Sequence, residues 1–320
     1  MKISNKVKGY IIGSIAAASY GTNPLFALPL YSEGMTPDTV LFYRYLFAIP
    51  LMGLMLLFRR GASEFSINLR QAGILACMGL LMAFSSLSLF LSYTYMDAGI
   101  ASTLLFVYPI MVAVIMSVGF KEKFSLSTAL CIIMALTGIG LLYQTSDGTT
   151  LSLFGTFLVM ISSLTYAIYI VGVNRTSLRY MATLKVIFYV LLFGVSVFLV
   201  KLCISGHFAF PATLLSWFNI IGLAVLPTAV SFMCTTQSIQ LIGPTPTAIL
   251  GALEPVTAVI IGATLFGEIL TPRICVGILL ILIAVSLVVA SENISHSVNN
   301  IKKLFPRTRF PKKKHRSQSS

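Results

Sequence analysis

The sequence is poor in charge and especially in acid. Only 10% of its 320 residues are charged, and nine of them are Asp or Glu. Soluble domains carry about 25% charged residues, so this scarcity excludes an ordinary soluble protein. With three histidines, no P-loop and no metal-ligand spacing, the chain is predicted to be no enzyme and to hold no metal or cofactor. Its five cysteines are odd in number and lie in apolar runs, which argues against a disulfide framework.

Hydrophobic residues fill the chain instead, at 57% of the sequence with a mean hydropathy of +0.93. The apolar runs are continuous rather than alternating, and in hydrocarbon only helices and closed barrels satisfy every backbone group. We therefore predict an all-α integral membrane protein, in which ten helices of about 20 residues use roughly 200 residues. The predicted spans lie near 9–29, 38–58, 71–94, 97–119, 125–144, 152–173, 182–203, 214–238, 245–266 and 272–291.

The basic residues predict the orientation of these spans. With the N-terminus inside, nineteen of the 22 Lys and Arg residues fall on the inner side, two on the outer side, and Arg44 within a span. Because such residues concentrate in cytoplasmic loops, both termini are predicted to be cytoplasmic, with the chain in the cell inner membrane. The membrane topology then explains the net charge of +13, so the charge does not indicate binding to nucleic acid. The basic tail over 293–320 either contacts anionic lipid or acts only as a topology signal.

The sequence also contains an internal repeat, because a shift of 146 residues matches the chain to itself without gaps. The matched pairs include Gly9 with Gly155, Tyr20 with Tyr166, Ser85 with Ser231, Pro109 with Pro255 and Glu122 with Glu268. Each copy holds five predicted helices, an odd number, so the second copy enters the membrane from the opposite side. We predict two inverted five-helix repeats, 1–145 and 146–292. Secondary transporters use this layout to alternate access to a central site, although a structural protein could also arise by duplication.

Three segments carry a resemblance to a known family. Two of them, Tyr108–Ser125 and Leu253–Thr271, run from a mid-helix proline through a small-residue helix to a glutamate and then Ser or Thr; the third is the aromatic-Arg-aromatic segment Phe42–Tyr45. Over about residues 8–292 the chain resembles the EamA-type branch of the drug/metabolite transporter superfamily. The first copy departs from the pattern, since Lys121 replaces a glycine and Tyr108 stands in the place of Glu254. The resemblance implies ten helices in two repeats and movement of small metabolites, often export of amino acids or related compounds.

Glu254 is the most informative single residue. If its helix begins near Pro246, eight residues at 1.5 Å each place Glu254 about 12 Å into the membrane. An ionisable group at that depth costs about 2.5–3.5 kcal/mol, so it should be protonated, paired or facing a wet cavity. The carboxyl is predicted either to bind a proton or a substrate amine, or to cap the backbone freed by Pro255.

Other polar and aromatic residues recur within the predicted spans, where they prefer the bundle interior. They either line a solute pathway or only hold helices together. The predicted pathway residues are Tyr20, Asn23, Ser85, Tyr108, Tyr166, Thr235, Gln237 and Glu254. Five prolines inside spans are predicted to kink or break the helix, as hinges or as static kinks, namely Pro24, Pro50, Pro109, Pro227 and Pro255. Arg44 is expected to snorkel outward, as an anchor or as a substrate-recognition group.

Together these features predict a secondary transporter, more specifically an exporter, of a small organic metabolite. Alternating access between the repeats would move the solute, and coupling to protons is left open. The alternative is a membrane scaffold or sensor that uses the same duplicated fold without transport. A small-molecule solute is the main predicted partner in the first case, and no nucleic acid is expected in either.

Overall fold

Long apolar runs become helices throughout the part of the chain that the structure describes, and no strand occurs among these residues. The computed structural model describes residues 4–61, 65–96, 98–121, 126–142, 152–206, 208–265, 272–273, 275–284 and 287. The α-helices are α1 Asn5–Tyr20, α2 Asn23–Ser32, α3 Pro37–Arg60, α4 Leu69–Ser92, α5 Ala98–Leu105, α6 Tyr108–Val114, α7 Leu126–Leu142, α8 Leu153–Arg175, α9 Thr183–Ser205, α10 Leu214–Ala224, α11 Ser231–Ile242, α12 Pro244–Leu250, α13 Leu253–Leu265 and α14 Cys275–Ala284. π-Helices cover Ile115–Gly119 and Val225–Val230, and a 3₁₀-helix covers Ser177–Tyr180. The predicted all-α fold is confirmed.

Polar residues just before the apolar runs set several helix starts. At α4 the side chain of Asn68 accepts the N–H of Gln71 at 2.8 Å, and Gln71 accepts the N–H of Asn68 at 3.2 Å. Thr213 and Ser216 form the same reciprocal capping box at α10, which satisfies backbone donors that a helix start leaves free. Gly243, at φ +91°, joins α11 to α12 through a single residue, because glycine adopts this conformation without strain.

Six helical stretches within the described residues are long and apolar enough to cross a membrane. They are Asn5–Ser32, Pro37–Arg59, Leu69–Ser92, Leu153–Arg175, Thr183–Ser205 and Leu214–Ile242. Shorter apolar helices cover Tyr108–Gly119, Ala129–Gly138 and Cys275–Ala284. Several passes through a membrane follow from these lengths, whereas the count of ten spans stays a prediction.

Three apolar stretches are interrupted near their middle, each shortly before a proline. The interruptions lie at Gly21–Thr22 before Pro24, at Phe106–Val107 before Pro109, and at Gly251–Ala252 before Pro255. A fourth proline, Pro227, lies inside the π-helix between α10 and α11. Proline removes a backbone donor and its ring crowds the preceding turn, so the regular ladder cannot continue. Pro24, Pro109, Pro227 and Pro255 therefore lie at irregular backbone, although hinge motion at them stays a prediction. At Pro50 the expectation of a break is wrong, because this proline lies within the uninterrupted helix α3.

The helices of the two sequence repeats pack across each other in an equivalent way. The long contact of α1 with α11 corresponds, under the 146-residue shift, to the long contact of α8 with α4. Small residues allow the first of these contacts to be close. A Cβ atom placed on Gly9 would lie 2.5 Å from the Ile242 side chain, and one on Gly13 would lie 2.7 Å from the Ser238 hydroxyl oxygen. The core thus lies between the repeats rather than separately within each.

Several sequence predictions fall outside the described residues. These are the basic tail 293–320, the boundary between the predicted repeats near residue 145, and the repeat-related residues Glu122 and Glu268.

Candidate functional site

A small cavity lies where the interrupted helices meet. Its walls come from α1, α6, α8, α11, α12 and α13 with the Gly251 interruption, and its lining residues are Gly13, Ala16, Ala17, Tyr20, Tyr108, Tyr166, Ile170, Ser231, Thr235, Thr247, Gly251 and Glu254. The space open to the centres of water molecules is about 20 Å³. Because one water needs about 10–15 Å³ on this measure, the conformation has room for water and is too narrow for an organic solute.

Repeat-related residues face each other across this cavity. Tyr20 and Tyr166 occupy equivalent positions in the two copies, as do Tyr108 and Glu254, and all four line the same space. The rings of Tyr108 and Tyr166 meet edge to face, with centroids 4.9 Å apart. The cavity therefore lies at the junction of the repeats.

Tyr108 connects the interruption of one repeat to that of the other. It begins α6, directly after the Phe106–Val107 interruption, and its hydroxyl donates to the carbonyl of Ala248 at 3.0 Å. That carbonyl belongs to the last turn of α12, where the helix ladder ends. A Cβ atom on Gly251 would overlap the Tyr108 hydroxyl. Close approach of the two interrupted helices therefore requires glycine at position 251.

Glu254 places a carboxyl at the cavity. It lies in the first turn of α13 and is 9% exposed. Its backbone N–H donates to the carbonyl of Gly251 at 2.9 Å, so the carbonyl that Pro255 leaves without a donor is already satisfied. The backbone therefore does not need the Glu254 carboxyl as a cap for the carbonyl of Gly251. Of the three acids that the structure describes, Glu33 and Asp38 lie at helix ends, and Glu254 alone lies at the cavity.

Arg44 is fully buried, at 0% exposure, so the expectation that it snorkels outward is wrong. It faces the irregular segment between α10 and α11, where Nη2 donates to the carbonyl of Pro227 at 2.9 Å and Nε donates to Thr228 Oγ1. Aromatic rings surround the guanidinium carbon, with centroids at 5.8 Å for Tyr20, 5.3 Å for Phe90 and 5.7 Å for Phe232. Such rings attract a cation through their negative faces.

The structure brings five of the eight predicted pathway residues to the cavity and places three elsewhere. Those at the cavity are Tyr20, Tyr108, Tyr166, Thr235 and Glu254. Ser85 lies in the α4–α8 contact, where its hydroxyl meets that of Ser162 at 3.1 Å. Gln237 is half-buried on α11 away from the cavity. Asn23 is buried at the start of α2, also outside the cavity lining.

Sequence reasoning missed mainly the small residues of the lining. Gly13, Ala16 and Ala17 precede Tyr20 by seven, four and three positions, which places all four on one face of α1. The same spacing links Tyr166 to Ile170 on α8. Helical periodicity counted from the two tyrosines would have found these residues. Within the described residues, no group of three His, Cys, Asp or Glu side chains could hold a metal ion.

The fold and the cavity define a class, that of multi-pass membrane proteins made of two similar halves around a central site. The sequence profile of the EamA-like transporter family matches residues 7–144 and again 153–290. The chain therefore belongs to the EamA-like transporter family, with one family unit in each half, and the resemblance read from its motifs is confirmed.

Two individual proteins are similar to this chain. An uncharacterized transporter of Archaeoglobus fulgidus is 29% identical over 189 residues, which cover 59% of this chain and 66% of that protein. The chain thus matches just under two thirds of that relative's length. A protein of known crystal structure superimposes with a TM-score of 0.73 at 15% identity, over 88% of this chain and 96% of the other. That likeness concerns the fold alone.

Proposed function

We propose that the protein is a secondary transporter that exports a small organic solute across the cell inner membrane by alternating access. The observation that carries this proposal is the cavity at the junction of the repeats, lined by the equivalent pairs Tyr20 with Tyr166 and Tyr108 with Glu254. Transporters made of inverted repeats bind their solute at such a junction, between discontinuous helices.

The topology belongs to the same proposal. Ten spans in two inverted repeats, 1–145 and 146–292, would place both termini and the tail in the cytoplasm. The charges at the two ends of the described helices support this orientation. Arg175 and Lys185 lie beside the α8–α9 connection, on the predicted inner side, whereas Glu33 follows α2 on the predicted outer side.

The small volume of the cavity is consistent with a state in which the solute site is shut. Contacts join the first helices to α10 and α11 at both ends. On the predicted inner side, Gly9 packs against Ile242. On the predicted outer side, the Glu33 carboxylate accepts hydrogen bonds from Thr213 and Ser216. Alternating access would open one of these contacts at a time, with the interruptions near Pro24 and Pro255 as flexing points.

Glu254 is the proposed proton-coupling group. Apolar surroundings disfavour an unpaired carboxylate relative to the neutral acid, whereas a cavity open to water favours ionisation. Opening to one side and then the other would therefore let this carboxyl bind and release a proton. The charged and titratable side chains that act on it are Arg44, Tyr20, Tyr108, Tyr93 and Tyr166.

The experiment has two steps. Media from a deletion strain and an overexpressing strain are compared for metabolites whose external level rises with expression. Each candidate is then tested for uptake into proteoliposomes with and without a pH gradient, beside empty liposomes. Uptake that depends on the protein supports transport. Failure of every candidate to enter protein-containing vesicles would favour the scaffold or sensor alternative.

A further inference from the structure

Arg44 is a buried cation that no acid neutralises by direct contact within the described part of the chain. Its two bonded acceptors, the Pro227 carbonyl and the Thr228 hydroxyl, are both neutral. A charge inside a membrane protein is costly, and such charges normally pair or line a functional path. A neutral donor could serve the same two acceptors without that cost. The positive charge of Arg44 is therefore unexplained by its role in holding the irregular backbone.

Arg44 and a second buried residue, Asn23, have polar atoms that form no hydrogen bond with the described residues. Arg44 Nη1 is buried without a partner among the described residues, and so are both the amide nitrogen and the amide oxygen of Asn23. Asn23 is 1% exposed. Buried polar groups are nearly always hydrogen-bonded, so unpartnered ones indicate a water or a ligand. Guanidinium and amide N–H groups together form a donor set that suits an anion.

Chain geometry places these donors in one region. The guanidinium of Arg44 lies over the ring of Tyr20, and Asn23 follows Tyr20 by three residues across the interruption between α1 and α2. One turn further on, Phe26 packs against Gly222, on the same helical stretch as the Pro227 carbonyl that Arg44 binds. Tyr20 itself lines the cavity, so one ring contacts the arginine and also borders the proposed solute space.

We propose that Arg44 and Asn23 form an anion site, next to the central cavity, that takes a carboxylate group of the solute. The planar guanidinium fork matches the two oxygens of a carboxylate, and the Asn23 amide adds a further donor. Binding supplies a counter-charge in direct contact with the guanidinium, whereas Glu254 acts on Arg44 only from a distance within the described part of the chain. The identity of the ligand as solute rests on the proposed function, whereas the anion site itself can be measured without transport.

The test uses the full chain purified in detergent, with acetate as the probe. Its thermal unfolding is followed during titration with acetate, chloride or the neutral isostere acetamide, at an ionic strength held constant by a bulky sulfonate salt. Wild type should be stabilised saturably by acetate, less by chloride and not by acetamide. Arg44→Lys keeps the charge but loses the fork, and should weaken acetate binding at least about tenfold. Arg44→Gln should abolish it.

Three further variants make the outcome decisive. Arg179→Gln removes an exposed arginine and should leave the acetate response unchanged. Tyr180→Phe changes an exposed side chain outside the site's helices and should likewise retain the response. If the Arg44 variants do not fold, Asn23→Leu tests the site with Arg44 intact and should weaken acetate binding about fivefold or more.

Four results would overturn the proposal. They are no acetate response in wild type, equal responses to acetate and acetamide, a preference for chloride, and an unchanged response in either Arg44→Lys or Asn23→Leu. If the protein binds acetate but transports no solute, the anion site is supported and the proposed transport function is contradicted.

Discussion

The hydroxyl of Ser85 donates to the backbone carbonyl of Ser162 at 3.0 Å. A shift of both positions by 146 in opposite directions gives Ser231 and Ala16, whose hydrogen bond is also 3.0 Å long. The first bond joins α4 to α8 and the second joins α11 to α1, so the similarity of the two halves extends to single hydrogen bonds. Ser162 also returns its hydroxyl to the Ser85 carbonyl at 2.8 Å. Ala16 has no hydroxyl and cannot form the second bond. The cavity lies beside Ala16, at the α1–α11 contact.

Substitution of Gly251 tests the contact between the two interrupted helices. Gly251→Ala places a methyl group where the Tyr108 hydroxyl lies, so the tyrosine must move or the helices must separate. Overpacking of this kind costs about 1–3 kcal/mol, which should appear as a lower unfolding temperature in detergent. Gly73→Ala is the matched control, because no atom of the described residues lies within 4 Å of its added Cβ atom. Equal stability of the two variants would contradict the observed contact.

Removal of the Tyr108 hydroxyl tests the same contact between Tyr108 and Gly251 by changing the tyrosine instead of the glycine. Tyr108→Phe loses the hydrogen bond to Ala248 and should cost about 0.6 kcal/mol, typical of such bonds within membranes. In the Gly251→Ala background the same change also removes the overlapping atom, so the double variant should lose less stability than the sum of the single ones. Tyr180→Phe, at an exposed position, serves as the control. Strict additivity would indicate that the two residues do not meet.

Apolar length and capping residues made the helices predictable from the sequence. Predicted spans starting near 38, 71, 152, 182 and 214 correspond to helices that begin at Pro37, Leu69, Leu153, Thr183 and Leu214. The central tyrosines were found because repeat equivalence and mid-span depth together select few positions. Both signals depend only on the order of residues along the chain.

The orientation of individual side chains was not predictable. In a span that is apolar on all sides, no polar face shows which way a residue points. The sequence therefore predicts Arg44 at the membrane surface, whereas the structure buries it against Pro227. For the same reason the sequence predicts Ser85 in the pathway, whereas in the structure its hydroxyl pairs with that of Ser162. The interruption at Gly251 depends on a tertiary contact with Tyr108, which no local sequence pattern reports.

Chemical labelling should distinguish cavity-lining residues from packed ones. In a background without the five native cysteines, Tyr20→Cys and Tyr166→Cys should react with a small polar thiol reagent when the cavity that both positions line opens during transport. Ser85→Cys is the control, since it lies in the α4–α8 contact and should stay unreactive. Protection of both tyrosine positions under all transport conditions would assign them to helix packing.

Reporter fusions test the predicted orientation. Nineteen of 22 basic residues on one side should hold that side in the cytoplasm. A fusion after Thr145 should report an external location and one after Lys123 an internal location. The reverse result at either position would refute the proposed topology and, with it, the inverted arrangement of the repeats.

The last prediction concerns Glu254 and pH. Glu254→Gln keeps the side-chain size and most hydrogen bonds but cannot exchange a proton. If this carboxyl couples transport to protons, the variant should lose uptake driven by a pH gradient while solute exchange without a gradient persists. The measurement is uptake into vesicles at two internal pH values, with the candidate solute identified from the media comparison and with correct insertion of the variant verified.

Glu33→Gln is the matched control for this measurement, because Glu33 is exposed at the end of α2 and bonded to Thr213 and Ser216. It should keep the pH dependence of wild type, even if loss of that outer contact changes the overall rate. A proton bound at the cavity must enter from one side and leave by the other, so removal of the titrating group should abolish concentration of the solute rather than merely slow it. If Glu254→Gln shows the same uptake driven by a pH gradient as wild type, the carboxyl does not couple transport to protons. Its role beside Pro255 would then be structural.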